Sequence, residues 1–179
     1  KKTNLVLGFM LMMLLVMTTG LVADGTEPTG NPRQVSTLDH LLWISTNSSS
    51  WSDDFIQTAD IDASATSGWN SGAGFSPIGN TTTIFTGSYN GNEHIIDGLY
   101  IYRYHTKTGL FGYVGNSTIS NLGLTNVYIR SSQQDIGAFV GYSFESNITI
   151  ENCFSTGEIN GAQGGGIFGF INSGNIINC

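Results

Sequence analysis

The sequence predicts an all-β protein built as a solenoid, in which short strands form coils and each coil stacks on the next. Three observations support this fold class. A motif recurs at spacings of 29 and 28 residues, the composition is rich in Gly, Ser, Thr, Asn and Ile, and no helical periodicity is visible after residue 45. We therefore expect a β-solenoid with a short N-terminal capping helix, preceded by a signal peptide.

Residues 1–23 have the organisation of a secretory leader. Two lysines precede an apolar run that ends at Met17, and small residues follow up to Ala23. This order is typical of a signal peptide. A signal anchor is the alternative, because residues 5–23 are uncharged and, at about 1.5 Å per residue, just long enough to span a bilayer.

The next two segments are predicted to lead into the coils. Residues 24–34 contain two Pro and two Gly and are expected to form a linker. Residues 35–50 are expected to form an N-terminal cap, in which Ser36 is the N-cap of a helix and Asp39 lies three positions later. A helix of roughly two turns would cover the apolar interior and strand edge of the first coil.

Residues 51–179 are predicted to form the coils, with the clearest repeats from about residue 108 to 179. The repeats share a glycine, at Gly112, Gly141 and Gly169. We expect these glycines at sharp bends or where a side chain would collide with the next coil. The period is too short for a propeller blade, and a leucine-rich repeat would need regular Leu and a helical segment.

Each repeat continues to an asparagine that an apolar residue follows. Asn121, Asn152 and Asn178 would stack on successive coils, so we expect an internal amide ladder that satisfies backbone groups of the turns. Cys153 and Cys179 occupy equivalent positions after two of them. A disulfide fits the rung spacing, but buried free thiols acting as small apolar groups are the favoured interpretation.

Charge limits the function classes. Residues 24–179 carry 13 acidic side chains against four basic ones, a formal charge of −9, which excludes the basic footprint of a nucleic-acid-binding protein. Asp60, Asp62 and Asp97 are a weak candidate for a Ca²⁺ site or a carboxylate pair. The favoured interpretation is that they fix local backbone. An enzyme would need them in one concave face with Arg103 or Lys107.

Aromatic residues offer a possible sugar-binding surface. Tyr100, Tyr102 and Tyr104 alternate to one side of their predicted strand. If they face outward they form an exposed stripe that would mark a binding site. Packing under the cap and along the core is the favoured alternative, for these tyrosines and for the other candidates, Trp43, Trp51, Trp69 and Tyr89.

The element Gly109-Leu110-Phe111-Gly112 resembles the motif of the GLUG-motif family of bacterial surface proteins. The best match is residues 137–157, which contain Asn152-Cys153 and Thr156-Gly157, and the first repeat departs from it with Leu122-Gly123. Together with lead-in segments, the resemblance covers about residues 34–179. Those segments are residues 55–62, 75–79, 85–92 and 94–101.

The resemblance implies a right-handed parallel β-helix on a secreted or cell-surface protein, in company with adhesin-like and haemagglutinin-like proteins. Similar repeats accompany some secreted metallopeptidases. This chain has no His-Glu-x-x-His motif, since His40, His94 and His105 are isolated. That protease chemistry is therefore not expected here.

We expect a non-catalytic, adhesin-like or surface-structural protein without a cofactor. Surface glycans or proteins of a host or neighbouring cell are the expected partners, and membrane contact would come only through an uncleaved leader or a missing C-terminal anchor. The alternative is a carbohydrate-binding or polysaccharide-degrading β-helix module, or the non-catalytic N-terminal region of a larger secreted enzyme. Because the third repeat stops at Cys179 without a polar capping coil, we expect a fragment.

Overall fold

A computed structural model describes residues 25–104, 107–143 and 147–179. The predicted signal peptide, residues 1–23, lies outside these described residues, as does His105. Within the described ranges, no helix is long and apolar enough to cross a membrane.

The described residues form one α-helix, α1, Leu38–Thr46. Its N-cap is Thr37, whose hydroxyl oxygen accepts a hydrogen bond from the backbone N–H of His40 at 3.2 Å. The prediction of Ser36 as the N-cap is wrong, because Ser36 lies one residue too early for this bond. Its backbone N–H instead donates to Nδ1 of His40 at 3.1 Å. Short 3-10 turns follow at Ser48–Ser50, Ser64–Gly68 and Asn70–Gly72.

The segment predicted as a linker packs against α1 and is not a free spacer. The backbone N–H of Thr26 donates to the carbonyl of Asp39 at 3.2 Å. Gly25 lies so close to the helix that an ideal Cβ would stand 2.9 Å from Cα of Trp43. The end of this segment enters the first strand, Arg33–Val35.

Short strands dominate the described chain, and every pairing between two of them is parallel. They are β1 Arg33–Val35, β2 Asp54–Gln57, β3 Ile61–Asp62, β4 Ser88–Asn90, β5 Ile95–Asp97, β6 Tyr100–Arg103, β7 Phe111–Val114, β8 Thr118–Ser120, β9 Gly123–Ser131, β10 Ile136–Gly137, β11 Val140–Ser143, β12 Ile148–Glu151, β13 Phe154–Asn160, β14 Gly164–Gly165, β15 Phe168–Ile171 and β16 Gly174–Ile177.

The strands form four parallel sheets. The largest has the order β1-β2-β4-β8-β12-β16, and the second has the order β13-β9-β5-β3 with β6 also beside β9. The third is β15-β11-β7 and the fourth is β10-β14. Beyond the β1–β2 pair, each strand therefore pairs with a strand of another repeat and not with its neighbour along the chain.

The strand register follows the repeat in the sequence. Tyr113 pairs with Tyr142, 29 residues later, and Tyr142 pairs with Phe170, 28 residues later. In the largest sheet Ile119 pairs with Ile150. The protein is thus mostly β, with parallel sheets stacked at the period predicted from the sequence.

An apolar core runs from the N-terminal cap into the repeats, from Val35 to Cys153. Leu110 of the GLUG-like element is fully buried in it. The core also contains a hydrogen-bonded polar pair, since the hydroxyl of Tyr89 donates to Oε1 of Gln57 at 3.0 Å. Pairing of this kind allows a buried phenol and amide to stay inside an apolar interior.

Candidate functional site

Asp60 is held by local contacts in front of strand β3. Its Oδ1 accepts a hydrogen bond from the backbone N–H of Ile95 at 3.0 Å and lies 3.1 Å from Nδ1 of His94. The bond from Ile95, followed by that from His94, lowers the pKa of Asp60 below its usual value. The carboxylate therefore fixes the start of β5 against the preceding coil.

Asp62 and Asp97 are register partners on β3 and β5, but their carboxylates bind different groups. Ser64 donates hydrogen bonds that lower the pKa of Asp62. Oδ1 of Asp97 accepts from the hydroxyl of Thr125 at 2.5 Å and from Nδ2 of Asn126 at 2.7 Å. Among the described residues, no group of three or more His, Cys, Asp and Glu side chains could hold a metal ion.

The shared glycines of the repeat lie where the backbones of two coils come closest. An ideal Cβ at Gly141 would stand 2.5 Å from the backbone nitrogen of Thr108. The equivalent atom at Gly169 would stand 2.6 Å from Cα of Asp135. In each case the crowded backbone belongs to the preceding coil. A Cβ would also approach a carbonyl oxygen to 2.7 Å at Gly109 and at Gly112.

Asn121, Asn152 and Asn178 are linked by a ladder of side-chain amides. Nδ2 of Asn152 donates to Oδ1 of Asn121 at 3.0 Å, and Nδ2 of Asn178 donates to Oδ1 of Asn152 at 3.2 Å. The ladder also includes Asn90, which sequence comparison missed because it precedes the clear repeats. The predicted internal location is wrong: these amides lie on exposed or half-exposed turns, because the residue after each, such as Cys153, points inward.

Cys153 and Cys179 are both free thiols. Each donates a hydrogen bond from Sγ to the carbonyl two residues earlier at 3.3 Å, so the two occupy equivalent positions. Burial raises the pKa of Cys153 to about 12. The expectation that both are buried is wrong for Cys179, since no strand among the described residues covers that side of the last repeat.

The tyrosines at β6 face outward, contrary to the favoured prediction that they pack along the core. Ile101 is fully buried, whereas Tyr100 and Tyr102 are half-buried and Tyr104 is 69% exposed. Side-chain alternation along the strand explains this, because Ile101 takes the inward position. Tyr100 stacks on Tyr128 of β9, with ring centroids 5.0 Å apart and an angle of 7° between the planes.

The other candidate aromatic side chains pack within the fold. Trp51 is buried, and its Nε1–H donates to the carbonyl of Ile44 at 2.6 Å. Trp43 and Trp69 are half-buried against the core. Together with fully buried Tyr89, these residues are structural, so the outward aromatic surface is confined to the tyrosines of β6 and β9 and to the row Tyr113, Tyr142 and Phe170 on the third sheet.

Arg103 lies between two cavities of about 300 and 290 Å³. Lys107 and Tyr113 line the larger one, and Tyr102 and Tyr104 line the other. We call Tyr102, Arg103, Tyr104 and nearby Arg130 the Tyr–Arg surface. Sequence reasoning identified its members separately but did not predict that they cluster.

The candidate carboxylates do not join these cations. Along β9, Asp97 pairs with Thr125 and Arg103 pairs with Ser131, six residues further on. Neither cavity is lined by an acidic residue. The arrangement that polysaccharide cleavage would require, carboxylates and a cation in one cleft, is therefore not assembled from the predicted residues.

Parallel sheets with an outward aromatic surface define the class of protein in general terms, and sequence comparison adds one relative. Halomucin of Haloquadratum walsbyi is 40% identical over 163 residues, covering 83% of this chain. The chain spans about 2% of the length of that relative. No protein-family model matches the chain, and no solved structure matches it.

Proposed function

We propose that this chain forms a right-handed parallel β-helix belonging to a non-catalytic protein that acts at the cell surface or in the extracellular medium, in adhesion or as a structural element. The observation that carries the proposal is the parallel pairing of strands at the repeat period. Stacking of this kind presents long outer faces, which suit contact with surfaces or polymers. The proposal includes membership of the GLUG-motif class and export by the leader, residues 1–23.

Two further observations support a non-catalytic surface role. The similarity to Halomucin is compatible with such a role. The carboxylates Asp60, Asp62 and Asp97 are engaged with neighbouring groups and lie apart from Arg103. Glycans or proteins on a host or neighbouring cell are the proposed partners.

Surface labelling of intact cells of the source organism tests the location. Antibodies raised against the full chain should stain intact cells or detect the protein in the medium, and external protease should remove the cell-bound signal. Mass spectrometry of the mature N-terminus should find cleavage near Ala23, or retention of the leader in a membrane fraction. Staining that appears only after permeabilisation would contradict the proposal, with a cytoplasmic protein as the control for cell integrity.

A carbohydrate-binding module is the second candidate function. The outward tyrosines favour it, because exposed aromatic rings bound by polar groups are typical of ligand surfaces. The two candidates are separated by ligand specificity, since a structural stalk has no preference among glycans.

A further inference from the structure

The cations of this acidic chain are not spread evenly. Of the four basic side chains in residues 24–179, Arg103, Lys107 and Arg130 lie around Tyr102 and the two cavities. The guanidinium carbon of Arg130 is 5.8 Å from the centroid of the Tyr102 ring. Arg33 is the exception, and it lies at the N-terminal cap.

Arg103 differs from Arg33 and Lys107 in having no carboxylate partner among the described residues. Arg33 pairs with Glu27 and Asp53, each at 2.7 Å, and Lys107 pairs with Asp135. Arg103 instead donates only to neutral oxygens. Its partners are the carbonyls of Phe75 at 2.9 Å and Gly74 at 3.1 Å, and the hydroxyl of Ser76 at 2.8 Å.

These bonds orient Arg103 and leave part of it available. They use Nε and Nη2, so both N–H groups of Nη1 are without a partner among the described residues. The side chain is half-buried, and desolvation lowers its pKa. A half-buried guanidinium with a fixed orientation and no counter-charge is stabilised by an incoming anion, which accepts charge-assisted hydrogen bonds.

The tyrosines provide the other half of a binding surface. The hydroxyls of Tyr102 and Tyr104 are 3.2 Å apart, and their ring centroids are 5.7 Å apart. Their rings offer apolar faces to the C–H groups of a sugar ring, and their hydroxyls offer hydrogen bonds to its hydroxyls. The cavity that they line with Arg103 has a volume near the lower end of the range for ligand sites.

We infer that the Tyr–Arg surface binds an acidic saccharide, with a carboxylate or sulfate on Arg103 and a sugar ring on Tyr102 and Tyr104. This inference rests on the proposed extracellular role and specifies the chemistry of the partner. The formal charge of −9 of residues 24–179 disfavours densely charged polyanions such as nucleic acid. A saccharide with well-separated charges avoids most of that repulsion, because each anionic group can be screened from the rest of the protein.

Calorimetric titration of the full chain with three chondroitin tetrasaccharides tests the inference. Unsulfated chondroitin carries carboxylates, chondroitin sulfate carries both anions, and carboxyl-reduced unsulfated chondroitin is neutral. We expect binding of at least one acidic form and at least about tenfold weaker binding of the neutral form. The better of the two acidic forms identifies the preferred anion.

Variants locate the site. Arg103→Gln and Tyr104→Ser should each weaken binding by about tenfold or more, and Tyr104 is exposed enough that its variant keeps the fold. Arg33→Gln removes the same charge at a distance and should leave affinity unchanged. Circular dichroism spectra of all variants should match that of the wild type. If Arg103→Gln unfolds, Arg130→Gln and Tyr104→Ser carry the test.

Three results would overturn the inference. They are equal affinity for the neutral and acidic forms, an equal loss in Arg33→Gln, and no binding of any form up to about 10 mM. Surface labelling of cells reads the proposed location independently, so a protein that is extracellular but fails this titration contradicts only the saccharide inference.

Discussion

The burial of single side chains in this protein depends on their position within the repeat. Asn152 and Cys153 are adjacent, yet the amide lies on the outer turn and the thiol lies in the core. Asn152 has a φ of +52°, a conformation that asparagine adopts more readily than most residues. The turn therefore explains the asparagine, and the inward direction that follows it explains the small apolar thiol.

We expect the buried thiol of Cys153 to make stability sensitive to alkaline pH. Burial raises its pKa from 9.0 to about 12, so the folded state holds this proton more tightly than the unfolded state does. The stabilising contribution is complete below pH 9 and is lost as the pH rises towards 12. Tm measured across this interval should fall less steeply in Cys153→Val than in the wild type.

Exposed Cys179 provides the matched control for that measurement. Cys179→Ser should retain the wild-type pH slope. Identical slopes for the wild type and Cys153→Val would contradict the assignment of a buried, protonated thiol.

At the scale of the strands, contacts between backbones of successive coils limit which residues fit. Gly141 follows Val140 in β11, and an ideal Cβ there would stand 2.5 Å from the backbone nitrogen of Thr108. Gly141→Ala should therefore lower the free energy of unfolding by about 1–3 kcal/mol, because backbone cannot move aside as a flexible side chain can. Urea unfolding followed by circular dichroism measures this change.

Gly166→Ala is the control, since no atom lies within 4 Å of an ideal Cβ at Gly166. The aligned position of the preceding repeat already carries Ala138. This variant should stay within about 0.5 kcal/mol of the wild type. A loss in Gly166→Ala equal to that in Gly141→Ala would show that the close approach between coils is not the cause.

The periodic elements were more predictable from sequence than the surface. Equivalent residues such as Tyr113 and Tyr142 must pair in register if coils stack, so self-comparison of the sequence finds them. The clustering of Arg103 with Tyr104 depends instead on how the loop containing Gly74 reaches β6, and an irregular loop has no period to compare. The same limit explains the packing of Gly25 against α1, because composition alone indicated a spacer.

At the scale of the whole molecule, the excess of acidic side chains should make stability depend on salt. Residues 24–179 have a formal charge of −9, and self-repulsion of like charges destabilises a compact state. Sodium chloride at about 0.1 M reduces the screening length to about 10 Å. We therefore expect Tm to rise as sodium chloride is increased from low concentration, as measured by scanning calorimetry.

A variant with fewer charges separates screening from other effects of salt. Glu93 and Glu151 have carboxylates that make no hydrogen bond to the described residues, so Glu93→Gln with Glu151→Gln removes two charges and leaves the packing intact. This double variant should show a smaller rise in Tm than the wild type. Saccharide binding at Arg103 should respond in the opposite direction, because the same screening weakens attraction between unlike charges. A wild-type Tm that is flat or falls with salt would contradict the charge argument, since repulsion among the carboxylates could not then limit stability.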